Sequence, residues 1–104
     1  MPDPAEQLQR IYLAGFELHI FDRYPNSVGV SRDGCIALLR STPAGLELVG
    51  SAGWRMGELL GVLVEKDGRH VFQAKSEIVE ATAERLDALQ KFKGDLDQLL
   101  TAMA

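Results

Sequence analysis

The pattern of apolar and polar positions changes near residue 76. From Phe16 to Lys75, short apolar runs are interrupted by glycines, and eight of the ten glycines lie between Gly29 and Gly68. After Thr82 there is one glycine, and apolar residues recur at helical spacing. Several short strands followed by a helix are typical of an α+β domain, in which the helix covers an antiparallel sheet.

Alternation and turn signals predict five to six curled strands that form an antiparallel meander. Phe16, Leu18 and Ile20 alternate with other residues, which predicts a first strand buried on their side. Asp33–Gly34 and Asp67–Gly68 are hairpin signals, because both residues of such a turn adopt positive φ at little cost. The predicted strands are Phe16–Phe21, one starting at Val28, Cys35–Leu39, Leu46–Val49, Leu59–Glu65 and His70–Ala74.

The segment Gly50–Gly61 has no clear strand pattern. Its glycines at 53, 57 and 61 recur every four residues around Trp54 and Met56. This spacing favours a bent connection, either a loop or a short helix, that lets Trp54 reach the core.

Two helices are predicted at the ends of the strand region. Asp3 is a suitable N-cap, Pro4 suits the first helical position, and Gly15 favours a left-handed stop after about Ala14. Thr82 is the predicted N-cap of the second helix, which packs on the sheet.

The second helix carries an apolar stripe with steps of three and four residues, formed by Leu89, Phe92, Leu96, Leu99 and Met103. Such a stripe usually covers an open sheet. The alternative is a seam shared with a second copy of the chain, for which Leu96, Leu99 and Met103 are the candidate self-association residues.

Composition and charge exclude several classes of function. A chain of 104 residues with 46% hydrophobic residues predicts a single domain over residues 1–104. Eleven basic and fifteen acidic residues give a net charge of −4, which argues against nucleic-acid binding. One cysteine and no signal-like leader predict a cytoplasmic protein, and the apolar runs are too short to span a membrane.

No catalytic set, cofactor motif or metal-ligand spacing is evident. Cys35 follows a hairpin glycine and opens an apolar run, which is typical of a small buried residue. A dyad of Cys35 with His19 or His70 is the remaining enzymatic alternative. As metal ligands the two histidines lack a third partner, so no metal or other cofactor is predicted.

Two functions remain open. The first is a non-catalytic interaction module that self-associates or binds a protein partner, suggested by the helical stripe and by Trp54 beside Arg55, a composition common at interface hot spots. The second is a small-ligand-binding domain with an apolar cleft between the sheet and the last helix. Four aromatic residues are the expected lining: Phe16, Trp54, Phe72 and Phe92. The candidate binding residues are therefore Trp54, Arg55, Phe72 and Phe92.

Overall fold

Two helices flank a meander of seven antiparallel strands. The computed structural model describes residues 3–103. The elements are α1 (Pro4–Leu13), β1 (Glu17–His19), β2 (Val28–Arg32), β3 (Cys35–Thr42), β4 (Gly45–Met56), β5 (Leu59–Lys66), β6 (Arg69–Ala74), β7 (Glu77–Glu80) and α2 (Ala83–Met103). The strands lie in the order β1 to β7, so each pairs with its neighbour in sequence. The α+β class and the meander predicted from the sequence are confirmed.

The predicted helix starts are confirmed by their hydrogen bonds. The Oδ1 atom of Asp3 accepts from the Ala5 amide over 3.0 Å. The hydroxyl of Thr82 accepts from the Arg85 amide over 3.2 Å. Each bond satisfies an amide that has no partner inside its helix. Within residues 3–103, no helix is long and apolar enough to cross a membrane.

Both Asp–Gly hairpins form as expected. The φ angles in these turns are positive at Asp33 (54°), Gly34 (83°), Asp67 (53°) and Gly68 (78°). Positive φ at both central residues gives a turn whose twist matches that of the flanking strands.

The structure corrects the prediction for Gly50–Gly61, which is neither a loop nor a short helix. The segment contains the second half of β4, a turn at Gly57–Glu58 and the start of β5. Ala37 of β3 faces three residues of β4, because Ile36 pairs with Gly53 and Leu38 pairs with Val49. This bulge at residues 50–52 places a left-handed glycine, Gly50 with φ 67°, inside a strand.

Residues 3–103 form seven strands, where five to six were predicted. Glu77–Glu80 forms β7, which pairs with β6 through Phe72 opposite Val79 and Gln73 opposite Ile78. A strand of four residues with only two apolar members gives too weak an alternation for a sequence pattern to reveal.

The first strand is shorter than predicted, and its burial is reversed at one end. β1 stops at His19, and Ile20 is 84% exposed instead of buried. Phe21 is buried on the opposite face of the sheet, where its ring lies against Gly29. It forms a second cluster with Ile36 and Leu38. The chain crosses to that face after β1, so simple alternation fails there.

The main core lies between the sheet and the two helices. We call this helix-covered side the inner face and the opposite side the outer face. Phe16 packs edge-on against Phe92, with ring centroids 5.7 Å apart. Trp54 stacks on Phe72 at 5.6 Å. The buried members of the main core are Ile11, Phe16, Val30, Cys35, Ala37, Leu39, Ala52, Met56, Phe72, Ala74, Leu89, Phe92 and Leu96.

The β4–β5 pairing is confined to the tip of the hairpin. Only Trp54–Met56 of β4 pair with Leu59–Gly61 of β5. Beyond this point β4 continues along β3, and β5 continues along β6. The sheet therefore divides, and residues 46–52 of β4 have a strand from the described part of the chain on one side only.

Candidate functional site

Trp54 and Arg55 lie on opposite faces of the sheet and do not form one surface. Trp54 is half-buried on the inner face, where its ring stacks on Phe72 and the Cζ atom of Arg85 lies 5.5 Å from the indole centroid. Arg55 projects to the outer face, where its Cζ lies 5.7 Å from the Phe21 ring. Adjacent strand residues alternate between faces, so neighbours in sequence cannot share a patch here.

The two candidate phenylalanines are core residues. Phe72 and Phe92 are 0% and 1% exposed. Each is held by an aromatic neighbour, Trp54 in one case and Phe16 in the other. Their rings contact the core and do not line the cleft described below.

The apolar stripe of α2 faces the sheet. Leu96 is buried within the main core. Leu99 and Met103 are half-buried, and both pack against the same core. The candidate self-association residues thus make contacts within the chain.

A cleft of about 380 Å³ opens between β4 and α2. We call it the β4–α2 cleft. Its lining residues are Leu48, Gly50, Ser51 and Ala52 of β4 and Lys93, Gly94, Leu96, Asp97 and Leu100 of α2. The walls are mainly apolar, and the charged groups of Lys93 and Asp97 are exposed at the rim. The sequence anticipated a cleft between sheet and helix, but none of the four aromatic residues expected to line it does so.

Small residues on both walls leave the space open. A Cβ atom placed on Gly94 would have no atom within 4 Å other than its own helix backbone and chain neighbours, and the same is true at Gly50. Ala52 adds a third small side chain. The glycines therefore widen the cleft instead of permitting close packing.

A polar cluster surrounds His19 on the outer face and resembles a catalytic triad only in composition. The Nε2 atom of His19 lies 2.7 Å from Oγ of Ser31, 3.2 Å from Nη1 of Arg55 and 3.5 Å from Oε2 of Glu17. A serine–histidine–carboxylate relay needs the serine and the acid on different ring nitrogens. Here all three groups approach the same nitrogen, and Ser31 is buried. The geometry holds His19 in place and provides no relay.

Cys35 is buried on the inner face, as its sequence context suggested. Burial raises the pKa of its thiol to about 11; the carboxylate of Asp33 adds to this shift, and Arg32 opposes it. A thiolate is the reactive form of cysteine, so the raised pKa makes this thiol a poor nucleophile near neutral pH. His19 lies on the outer face, opposite to Cys35, and His70 is exposed on β6. The described structure therefore forms no Cys–His dyad.

Among residues 3–103, no group of three or more His, Cys, Asp or Glu side chains is placed to hold a metal ion. No protein-family model matches the chain, and no curated protein or solved structure is detectably similar to it. The candidate site therefore rests on the geometry of the β4–α2 cleft alone.

Sequence reasoning missed the lining of this cleft because it depends on tertiary packing. Gly94 is the one glycine after Thr82 in the sequence, and a glycine inside a helix weakens it by about 1 kcal/mol relative to alanine. Only the structure reveals that it faces Gly50 and Ala52 across open space. An unexplained helical glycine beside an apolar stripe was the available signal.

Proposed function

We propose that this domain is a non-catalytic binding module whose ligand places an apolar group in the β4–α2 cleft. The observation that carries the proposal is a cleft of about 380 Å³ between sheet and helix. Sites for small ligands typically span roughly 300 to 1,000 Å³ and combine apolar walls with a few polar groups. Leu48, Leu96 and Leu100 supply such walls, and Lys93 and Asp97 supply the polar groups.

The identity of residue 94 supports this proposal. Glycine in a helix interior is less stable than alanine by about 1 kcal/mol. Packing does not require it, because a Cβ atom at this position would have no atom of residues 3–103 within 4 Å apart from its chain neighbours and its own helix backbone. A ligand that enters beside α2 gives the glycine a role, since any larger side chain would occupy part of the cleft.

The chemistry of the other candidate groups also favours binding over catalysis. Cys35 is buried and its pKa is raised, so it lacks the exposed thiolate of a nucleophile. Ser31 and His19 lack a relay geometry. None of these three residues lines the β4–α2 cleft.

The test uses 1-anilinonaphthalene-8-sulfonate as an apolar probe, with amide chemical shifts to locate it. Binding is expected to shift the amides of Gly50, Ala52 and Gly94. Gly94→Leu fills the cleft and is expected to abolish these shifts. Gln90→Leu places the same side chain at an exposed position of α2 and serves as the matched control. No cleft-specific shifts in the wild type, or equal shifts in Gly94→Leu, would contradict the proposal.

Self-association is a second candidate, favoured by a different surface from the predicted seam. Residues 62–66 of β5 pair with β6 on one side and with no described strand on the other. Val62 is 50% exposed beside this edge. Exposed strand edges are templates for pairing with another chain. Light scattering across a concentration series tests this function, and a constant monomer mass would count against it.

A further inference from the structure

We infer that the ligand of the β4–α2 cleft is an extended polypeptide segment of another protein, which adds to β4 as an extra strand. The inference rests on the proposed function and names the class of ligand. It is carried by unpaired backbone groups that border the cleft at Leu48.

The direction of the backbone groups of β4 follows from its ladder with β3. Thr42 pairs with Gly45 across a two-residue turn. In an antiparallel pair, successive residues direct their N–H and C=O groups alternately towards the neighbouring strand and away from it. Leu46 should therefore direct its N–H away from β3. It does so, because this N–H donates to Oε1 of Gln7 over 3.0 Å.

The same alternation directs the N–H and C=O of Leu48 away from β3. No strand among residues 3–103 pairs with this side of Leu48. Leu48 is also 40% exposed, so part of this residue is accessible to solvent. The groups it offers, one donor and one acceptor at strand spacing, are those that another peptide backbone satisfies.

The free edge is bounded at both ends. Near α1, the side chain of Gln7 already occupies the N–H of Leu46. At the other end, Trp54 pairs with Gly61 of β5. The bulge at residues 50–52 lies between these points and disturbs the ladder. An added strand is therefore short, with its main pairing at Leu48.

The side chain opposite Leu48 would enter the cleft. Residues directly opposite each other on paired strands place their side chains on the same face of the sheet. The side chain of Leu48 lines the cleft against Leu96 and Leu100 of α2. An apolar residue of the ligand at this position would meet the same walls, while its neighbours would face away.

The rim of the cleft adds a charge preference. Lys93 and Asp97 lie one helical turn apart, and neither forms an ion pair within the described part of the chain. Opposite charges at the two positions favour a segment with an acidic residue two positions to one side of its apolar anchor and a basic residue two positions to the other, because only alternate residues of a strand share a face. A peptide whose charges are all of one sign would be repelled by either Lys93 or Asp97.

The experiment begins with a phage-displayed library of random nonapeptides, selected on the wild-type chain and counter-selected on Gly94→Leu. The selected peptide is then synthesised with N-methyl groups on one alternate set of amides or on the other. A strand that pairs along one edge uses one set only. One methylated peptide should therefore lose binding at least about tenfold, while the other keeps it.

A matched pair of variants tests the edge of β4 from the protein's side. Leu48→Pro removes an N–H that points away from β3, so the β3–β4 ladder is preserved. Leu48→Val introduces a side chain of about the same size as proline and keeps the N–H of residue 48. Leu48→Pro should weaken the selected peptide about tenfold relative to Leu48→Val, with thermal unfolding showing both variants folded.

The outcomes separate this inference from the proposed function. Cleft-specific shifts with the naphthalene probe, together with a failure to select any peptide that binds the wild type and not Gly94→Leu, would indicate a small-molecule site and overturn the inference. Equal binding of both methylated peptides would also overturn it. A dimer mass that Leu48→Pro reduces to a monomer mass would identify the occupant as a second copy of this chain and exclude the partner named here.

Discussion

Arg32 at the end of β2 donates from Nη2 to Oδ2 of Asp95 in α2 over 2.7 Å. The same guanidinium lies over the Phe16 ring, with Cζ 4.4 Å from the centroid. Its Nε atom is buried and has no hydrogen-bond partner within residues 3–103. The ion pair therefore fixes α2 over the sheet at the residue next to Gly94, which lines the β4–α2 cleft.

Asp95→Asn is expected to lower the free energy of unfolding by about 1–2 kcal/mol. The substitution removes the closer charged partner of the mostly buried Arg32 guanidinium and leaves only the Asp33 carboxylate, whose Oδ2 lies 3.7 Å from Nε. Asp97→Asn removes an exposed carboxylate two positions away and should change stability by less than about 0.5 kcal/mol. Urea unfolding measures both variants, and equal effects would show that the Arg32–Asp95 pair contributes little.

Gln7→Ala is expected to destabilise the fold by about 1–2 kcal/mol, because it leaves the N–H of Leu46 unsatisfied. Gln7 is only 6% exposed, and its Nε2 also donates to the carbonyl oxygen of Met103 over 3.5 Å. Gln9→Ala is the control, since Gln9 is exposed on the same helix. Thermal or urea unfolding compares the two, and similar stabilities would rule out a role for Gln7 in joining α1 to β4.

Alanine at Gly53 and alanine at Gly94 should have opposite effects on stability. A Cβ atom at Gly53 would lie 2.9 Å from Cδ2 of Leu60 and closer still to the carbonyl oxygen of Gly61. We expect a loss of about 1–3 kcal/mol, because the rigid β4–β5 hairpin has to separate. Gly94→Ala should raise stability by about 1 kcal/mol. Chemical denaturation decides the signs, and a stabilising Gly53→Ala would mean that the strands are less closely paired.

The stability of the wild type should fall in alkaline solution relative to Cys35→Ala. Burial raises the thiol pKa from its ordinary value of 9.0 to about 11. The unfolded chain therefore loses this proton first as the pH rises, and ionisation favours unfolding between these two values. At pH 10 the relative loss should be about 1 kcal/mol compared with pH 8.

Urea unfolding of both proteins at the two pH values isolates the thiol from lysine and tyrosine titration. A constant difference between the proteins would contradict the raised pKa. We also expect iodoacetamide to alkylate Cys35 slowly in the native protein and rapidly in urea, because unfolding exposes the thiol.

Much of the fold could be predicted from local chemistry. Asp3 and Thr82 mark helix starts because their side chains satisfy free amides nearby in sequence. Asp33–Gly34 and Asp67–Gly68 mark hairpins because these residues accept positive φ. Signals of this kind involve a few adjacent residues, so the sequence contains them in full.

The errors occurred where tertiary contacts override the local pattern. Phe21 is buried and Ile20 exposed because the chain crosses to the outer face, where Gly29 leaves room for the ring. The bulge at Gly50 is set by the pairing of β3 with β4, which no window of sequence displays. The cleft lining has the same origin, since Gly94 and Gly50 are 44 positions apart in the printed sequence.

The order of elements along the chain affects how the protein is made. Hairpins between sequence neighbours close short loops and form within roughly 1–10 μs, far faster than translation. All seven strands precede α2, so the ribosome releases the sheet before the helix that covers it. At about 5–20 residues per second, the 21 residues of α2 take roughly one to four seconds to synthesise. During that interval the ring of Phe16 lacks the edge contact that Phe92 of α2 makes with it in the folded chain, so part of the core stays exposed until α2 is complete.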